Sequence, residues 1–216
     1  MVHTRPFPLR NRRADVLRRD IASKSATLMD FNSNAFCASG SHLPNGSFAT
    51  FGGNGAIGKG GSLGSVPYPN KVAASYDAGY DDYDGAKSIR ILSPCTGTIS
   101  ASDASCQWYD DASVLAMQRK RWYSTAEPLA DGSVVLIGGF VNGGYINRNY
   151  PSTGGDQGGA AENSFEFFPS RGDAQPMQFL EDTVGLNSYP HAFLMPSGKM
   201  FVQANYSTSA CAPGIL

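Results

Sequence analysis

The side chains able to do redox, ligand or cross-linking chemistry are few: four cysteines, three histidines and ten tyrosines in 216 residues. Cys95 and Cys106 flank TGTISASDAS, a Ser/Thr/Asp-rich stretch that reads as an exposed loop. A disulfide closing it is expected in an oxidising compartment, although spacing alone does not fix connectivity. Asn45-Gly46-Ser47 and Asn205-Tyr206-Ser207 match the N-glycosylation acceptor pattern. His3 sits in a basic start. His42 falls at a predicted turn, where water would solvate it. His191 lies two residues from Tyr189, so both face one side of a strand, with His191 expected to pack inside the fold. By pattern alone Cys37 is a small buried residue, and Trp122 and Tyr123 are core aromatics. The Gly-rich run 52–64 lacks the Lys-Ser/Thr ending of a phosphate loop. The acidic stretch 77–84 lacks the closing Glu of a calcium loop and reads as solvated.

The elements that must position these residues come from an internal repeat. Three segments start at Leu43, Leu129 and Met195. Each has an apolar residue, a tight turn ending in glycine, then an apolar run. The turns carry Asn45-Gly46, Asp131-Gly132 and Ser197-Gly198, which supply the positive φ of two-residue hairpins. The runs 48–51, 134–137 and 200–203 predict short strands buried on both faces. Six residues before each segment stand Cys37, Tyr123 and Tyr189, which therefore occupy equivalent places in successive hairpins. Glu127-Pro128 reads as a turn entry. Kelch-type propeller blades repeat at about 50 residues, and the longer spacing here fits surface insertions, at 52–64, 77–84 and the cysteine loop, then at 142–159. A partial kelch-like β-propeller is the expected architecture, with a β-sandwich as the alternative. Three hairpins cannot close such a ring, so further blades are expected.

Composition agrees with an all-β chain. Charged residues are 16%, against about 25% in ordinary soluble domains. Glycine numbers 25, proline 13, and aromatics reach 11%, which suits short strands joined by glycine turns. A net charge of -1 gives no ground for a nucleic-acid partner. The first twenty residues hold six arginines but no apolar run for a signal peptide or a membrane span. The domain reading is a non-homologous basic start at 1–19, the partial propeller at 20–208 and a divergent tail at 209–216.

Three ordered motifs resemble one family. Asn34-Ala-Phe-Cys37-Ala-Ser-Gly40 with Gly52-Gly53-Asn54 resembles the start of the glyoxal oxidase propeller. Arg121-Trp-Tyr123-Ser-Thr-Ala-Glu-Pro-Leu129, running into Gly138-Gly139, resembles its second blade. Asn187-Ser-Tyr-Pro-His191 with Pro196-Ser-Gly198-Lys199 resembles its third. The similarity runs over about residues 20 to 208 and implies about three blades of a seven-bladed fold.

The resemblance implies a copper radical oxidase, related to the galactose oxidases. Such an enzyme oxidises simple aldehydes such as glyoxal or methylglyoxal to carboxylic acids, or alcohols, and reduces O2 to H2O2. Its cofactor pairs copper with a tyrosine joined to a cysteine by a thioether. By the matching motifs Cys37 and Tyr123 are that pair, and Tyr123 is a copper ligand. The second tyrosine and the two histidine ligands of the family lie far downstream of the third blade and are absent from this chain. Phe140 follows Gly138-Gly139, where galactose oxidases carry an aromatic that shields the radical. With Cys37 and the Cys95 and Cys106 loop so assigned, Cys211 has no obvious partner. The family is secreted, although no signal peptide is visible here. The expected reading is an N-terminal part of such an oxidase, inactive as an isolated chain. The rival is a non-catalytic kelch-like interaction module, which would not need the Cys37 and Tyr123 pair.

Overall fold

The computed structural model describes residues 15–19, 21–24, 26–30, 32–58, 74–95, 103–141, 161–183, 187–204 and 208–212. The insertion at 142–159, the end of the Gly-rich run, His3 and Asn205 lie outside the described residues.

Two four-stranded antiparallel sheets and one three-stranded sheet form the body. Blade 1 has strands β3 (Ser39–His42), β4 (Phe48–Phe51), β7 (Ile89–Leu92) and β8 (Trp108–Asp110), in that order. Blade 2 runs β9 (Thr125–Pro128), β10 (Val134–Ile137), β11 (Ser164–Phe168) and β12 (Gln175–Pro176). Blade 3 comprises β13 (His191–Leu194), β14 (Met200–Ala204) and β15 (Thr208–Ala212). Two small hairpins lie outside the blades: β1 (Asp15–Arg19) pairs with β2 (Ala26–Asp30), and β5 (Tyr76–Asp77) pairs with β6 (Asp82–Tyr83). Among the described residues the helices are one short α-helix, α1 (Gln178–Asp182), and one 3-10 turn at Ala104–Cys106. The chain is an all-β, partial β-propeller. Among the described residues no helix is long and apolar enough to cross a membrane.

Each blade opens with the predicted hairpin, and the three turns are alike. Leu43 N–H donates to the Ser47 carbonyl at 2.8 Å, and Gly46 N–H to the Leu43 carbonyl at 2.9 Å. Leu129 with Ser133, and Met195 with Lys199, repeat this pattern. The loops are therefore three residues long, not two. Only their glycines take positive φ: Gly46 at 84°, Gly132 at 85° and Gly198 at 77°. A three-residue loop needs one left-handed residue, whereas the mirror-image two-residue turn needs two, and Asn45 and Asp131 are not in that region.

Burial explains how the blades hold together. All four residues of β10 are buried, but towards different neighbours. Val134 and Leu136 join Ala49, Phe51, Ile89 and Met117 in the layer between blades 1 and 2. Val135 and Ile137 join Leu129, Leu180, Ala192, Met200 and Val202 in the layer between blades 2 and 3. Alternate side chains of a strand point to opposite faces, so a strand is apolar throughout only where a sheet covers each face. The expectation of two-faced burial therefore holds for β10 alone. β4 buries Ala49 and Phe51 and leaves Phe48 and Thr50 half-buried. β14 buries Met200, Val202 and Ala204 but not Phe201 or Gln203. Each fully buried Phe, Leu, Ile or Val contributes about 1.5–3 kcal/mol.

Candidate functional site

The first strands of the three blades, β3, β9 and β13, lie side by side. The residue two places before each carries the site. Cys37 (φ 60°), Tyr123 (φ 62°) and Tyr189 (φ 46°) all sit in the left-handed region. That conformation is uncommon for cysteine and unfavourable for tyrosine, and it persists only where surroundings enforce it. What enforces it is a relay from blade to blade. Tyr123 N–H donates to the Cys37 carbonyl at 3.3 Å, and Tyr189 N–H donates to the Tyr123 carbonyl at 2.8 Å. Each blade thus hangs its central residue on the previous one.

Glycine pairs make room for this approach. Gly53 N–H donates to the Arg121 carbonyl at 3.4 Å, and Gly139 N–H to the Asn187 carbonyl at 3.3 Å. At Gly52 (φ 73°) a Cβ would stand 2.0 Å from the Arg121 carbonyl oxygen. No residue with a side chain fits there without moving the backbone that carries Tyr123.

Two buried arginines fix the segments from behind. Arg121 Nε donates to Glu166 at 2.7 Å, its Nη1 donates to the Gly138 and Ser164 carbonyls, both at 2.9 Å, and its Nη2 to the Ser164 hydroxyl at 2.8 Å. Both side chains of that pair are almost wholly buried. In blade 1, Arg90 donates to the Gly52 carbonyl at 2.8 Å, the Asn34 carbonyl at 3.1 Å and the Ser33 hydroxyl at 2.9 Å. Its Nε lies 3.9 Å from Asp110. Burial pushes Arg90 down to about 10, partly offset by Asp110 and Asp82, so it remains a cation at neutral pH. Asn34, three residues before Cys37, is held by Asp82 at 2.8 Å. Asp82 is buried, so the acidic stretch is not a purely solvated loop: one of its carboxylates pins the Cys37 segment.

At the centre the side chains meet. The Trp122 and Tyr123 rings lie 4.3 Å apart between centroids, tilted at 43°. Tyr123 and Tyr189 form an edge-to-face pair at 5.1 Å and 86°. Burial, and next a hydrogen bond with Cys37, raise the Tyr189 phenol above its ordinary value; charges on Cys37 and Tyr123 add to the rise. Cys37, Tyr123 and Tyr189 therefore share one neighbourhood. Trp122 is both a core residue, 5% exposed with Nε1 donating to the Phe36 carbonyl at 3.2 Å, and a stacking partner of Tyr123. Phe140 is fully buried and exchanges backbone hydrogen bonds with Trp122.

The remaining predicted positions are dispersed. Cys95 and Cys106 form a disulfide with Cα atoms 5.5 Å apart, in the β7–β8 connection away from the centre. Asn45 is exposed at the β3–β4 turn, its side chain accepting from Ser47 N–H. His42 is exposed with its ring 5.1 Å from Phe48, and His191 is exposed on β13, not packed inside the fold. Glu127 is no turn residue: it lies within β9 and accepts from Leu194 N–H at 3.4 Å, tying blade 2 to blade 3. Of Cys211, only the backbone pairing of β15 with β14 is described.

No family model matches the chain. It is 28% identical over 205 residues to "Aldehyde oxidase GLOX" of Vitis pseudoreticulata, an alignment covering 88% of this chain and 29% of that protein. It is 28% identical over 129 residues to "Aldehyde oxidase GLOX1" of Arabidopsis thaliana, covering 60% and 17%. The chain is a glyoxal oxidase-related region. A "WSC domain-containing protein" of Arthroderma benhamiae is 25% identical over 139 residues, covering 63% of the chain and 13% of that protein. The chain thus spans less than a third of the length of each of these relatives.

A glyoxal oxidase-related region raises the question of copper. Copper(II) favours tetragonal nitrogen and oxygen ligation. Among the described residues no three His, Cys, Asp or Glu gather into a metal site. The central cluster offers two phenols and a thiol, and both described histidines are exposed. These residues alone do not fit a copper centre. They bring a cysteine and two tyrosines to equivalent points of adjacent blades, with Cys37 joined to Tyr123 through a backbone hydrogen bond and the Trp122 ring against that of Tyr123.

Proposed function

We propose that this region supplies the cysteine–tyrosine radical pair of a copper radical oxidase of glyoxal oxidase type. The substrates are simple aldehydes such as glyoxal or methylglyoxal, oxidised to carboxylic acids while O2 is reduced to H2O2. Cys37 and Tyr123 form the thioether-linked pair, with Tyr123 as a copper ligand and the remaining ligands supplied from outside the described residues. The observation that carries this reading is the direct backbone link between Cys37 and Tyr123, both held in the left-handed region at equivalent points of adjacent blades. The relation to the aldehyde oxidases supports it. A kelch-like interaction module would have no use for a strained cysteine beside a strained tyrosine.

The chain's own residues have definable tasks. A sulfur substituent on the Tyr123 ring would spread an oxidised phenoxyl over more atoms, and the stacked Trp122 would shelter it from water. The cofactor does the hard chemistry and the protein positions it. The Cys95 and Cys106 disulfide supports passage through an oxidising, secretory compartment. Asn45 is the described glycosylation position.

Two measurements test the reading. The full chain, loaded with copper in air and given glyoxal or methylglyoxal, is expected to show no sustained H2O2 formation, because among the described residues no imidazole joins the central cluster. Turnover that disappears in Tyr123→Phe would overturn this incomplete donor set. One-electron photo-oxidation with ruthenium tris-bipyridyl and persulfate needs no copper site and is expected to join Cys37 to Tyr123. A peptide map finding Cys37 joined to no tyrosine would overturn the pair.

A further inference from the structure

The hairpin turns of blades 1 and 2 lie against each other at the ends of β3 and β9 remote from Cys37 and Tyr123. They carry nearly the same residues, Asn45-Gly46-Ser47 and Asp131-Gly132-Ser133. In each, the serine N–H donates to the side-chain oxygen of the first residue, at 3.0 Å in blade 1 and 3.1 Å in blade 2. The Pro44 ring comes so close to Gly132 that a Cβ there would collide with it. Along the two turns runs a cleft of about 630 Å³, within the usual range for a small-molecule site. Pro44 and Phe168 line it with apolar surface, and Asn45, Asp131, Ser170 and Arg171 with polar groups. Arg171 is held in place there: it pairs with Asp131, donates to the Ser133 hydroxyl at 2.8 Å and lies 4.9 Å over the Phe167 ring. One difference between the turns bears on what the cleft would hold. Asn45-Gly46-Ser47 is an acceptor sequence for an N-linked oligosaccharide, and its blade 2 counterpart, with aspartate first, is not. Asn45 is exposed, and its Oδ1 is taken by Ser47. Its Nδ2, the atom to which a sugar is joined, has no acceptor among the described residues.

We propose that the innermost N-acetylglucosamine of an oligosaccharide on Asn45 docks in this cleft and holds the turns of blades 1 and 2 together. The inference rests on the reading of Asn45 as a glycosylation position. Attachment joins Nδ2 to the anomeric carbon of an oligosaccharide carried on a lipid pyrophosphate. An N–H bond and the C–O bond to the pyrophosphate break, a C–N bond forms, the lipid pyrophosphate leaves and the proton goes to water. The sugar then stands in the wall of the cleft. Its C–H face suits Pro44 and Phe168, and its hydroxyl and acetamido groups suit the Asp131 carboxylate and the Arg171 guanidinium. A tethered ring is present at high effective concentration, so contacts too weak to capture a free sugar suffice to seat it. Seated there, it touches both turns and leaves the Cys37 and Tyr123 end of the blades uncovered.

The experiment secretes the full chain from yeast behind a cleavable leader and reads Asn45 by glycopeptide mass spectrometry, which should find it modified. The glycosylated chain is expected to melt about 3 °C above Asn45→Gln. In an Arg171→Ala background that gap should fall below about 1 °C. The turn hydrogen bond lost with Asn45 is common to both backgrounds and cancels. Release of the Asn45 oligosaccharide from the folded chain by peptide-N-glycosidase should run about fivefold faster in Arg171→Ala, since the enzyme must first draw the sugar out of the cleft. Arg171 lies at the surface, where its pair with Asp131 contributes little, so Arg171→Ala should fold. If it does not, endoglycosidase H supplies the comparison, because it leaves one N-acetylglucosamine on Asn45. A melting gap that survives trimming of both chains supports docking of the innermost sugar, and a gap that disappears overturns it. An unchanged gap and an unchanged release rate in Arg171→Ala would overturn docking and leave Asn45 as a glycosylation position. Secreted chain with no sugar on Asn45 would overturn that position, and docking with it.

Discussion

Blades 1 and 2 solve one problem with different parts. Each must hold a strained residue, Cys37 or Tyr123, at the mouth of its first strand, and each uses a buried arginine that grips carbonyls near its Gly-Gly pair. In blade 2 the arginine is Arg121, two residues before Tyr123, locked in a direct pair with Glu166. In blade 1 it is Arg90, on the third strand, which reaches the Cys37 segment through the Asn34 carbonyl and is shared among Ser33, Asp110 and Gly52. Blade 1 adds Asp82 under Asn34 and the Cys95–Cys106 disulfide. Blade 2 concentrates its restraint on one ion pair beside the tyrosine, whereas blade 1 spreads it over several weaker links. A concentrated restraint is stiffer but fails at one substitution.

The largest expected effect follows from that difference. Arg121→Met removes the partner of a buried carboxylate, and stability should fall by about 3–5 kcal/mol. Arg90→Met should cost less, about 2 kcal/mol, because Asp110 keeps donors from Ser33 and from the Asn32 N–H. Denaturant unfolding of both variants checks the order, and equal losses would break the comparison.

Next comes the contact between blades. Gly52→Ala puts a Cβ onto the Arg121 carbonyl in a left-handed position and should cost about 3 kcal/mol. Gly138→Ala, whose Cβ would meet a Pro190 ring carbon at 3.0 Å, should cost about half as much. Thermal unfolding of the two variants ranks them. A harmless Gly52→Ala would mean that the Gly-Gly pair does not set the distance between blades.

Replacing Cys95 and Cys106 together by serine opens a short loop peculiar to blade 1. The expected loss is about 2–3 kcal/mol, with little effect on photo-oxidative linkage of Cys37 to Tyr123, since the disulfide lies away from the centre. Slower linkage would show that blade 1 transmits strain further than its geometry suggests.

The smallest effect concerns pH. Burial, ahead of its other influences, raises the Asp82 carboxyl above its ordinary value. A carboxyl raised in the folded state favours folding most in acid, and that contribution is lost as pH rises through the raised value. Asp82→Asn keeps an acceptor for Asn34 and Ile57, so its Tm should exceed the wild type by about 2 °C at neutral pH. The gap should close below the ordinary carboxylate range, and a constant gap across that range would show that Asp82 titrates normally.

The sequence by itself determined what is local or periodic. The turn glycines announce three hairpins, because only a residue without Cβ takes positive φ at no steric cost. The six-residue offset places Cys37, Tyr123 and Tyr189 at one point of each repeat. Val134 to Ile137 could be read as a two-faced strand because its composition leaves no face for water. Tertiary structure alone decided what depends on neighbours distant in the chain. Phe48–Phe51 and 200–203 read like Val134–Ile137, yet each buries fully one face, since burial is set by which sheet lies opposite. Asp82, within a stretch that looks solvated, turns inward because Asn34, far away in sequence, offers it an amide. Tyr189 meets the site only when the blades stack, for no spacing rule reveals that its ring will lie edge-on to that of Tyr123. Hydrogen bonds and ring contacts between segments are fixed by packing, and packing is a property of the assembled blades.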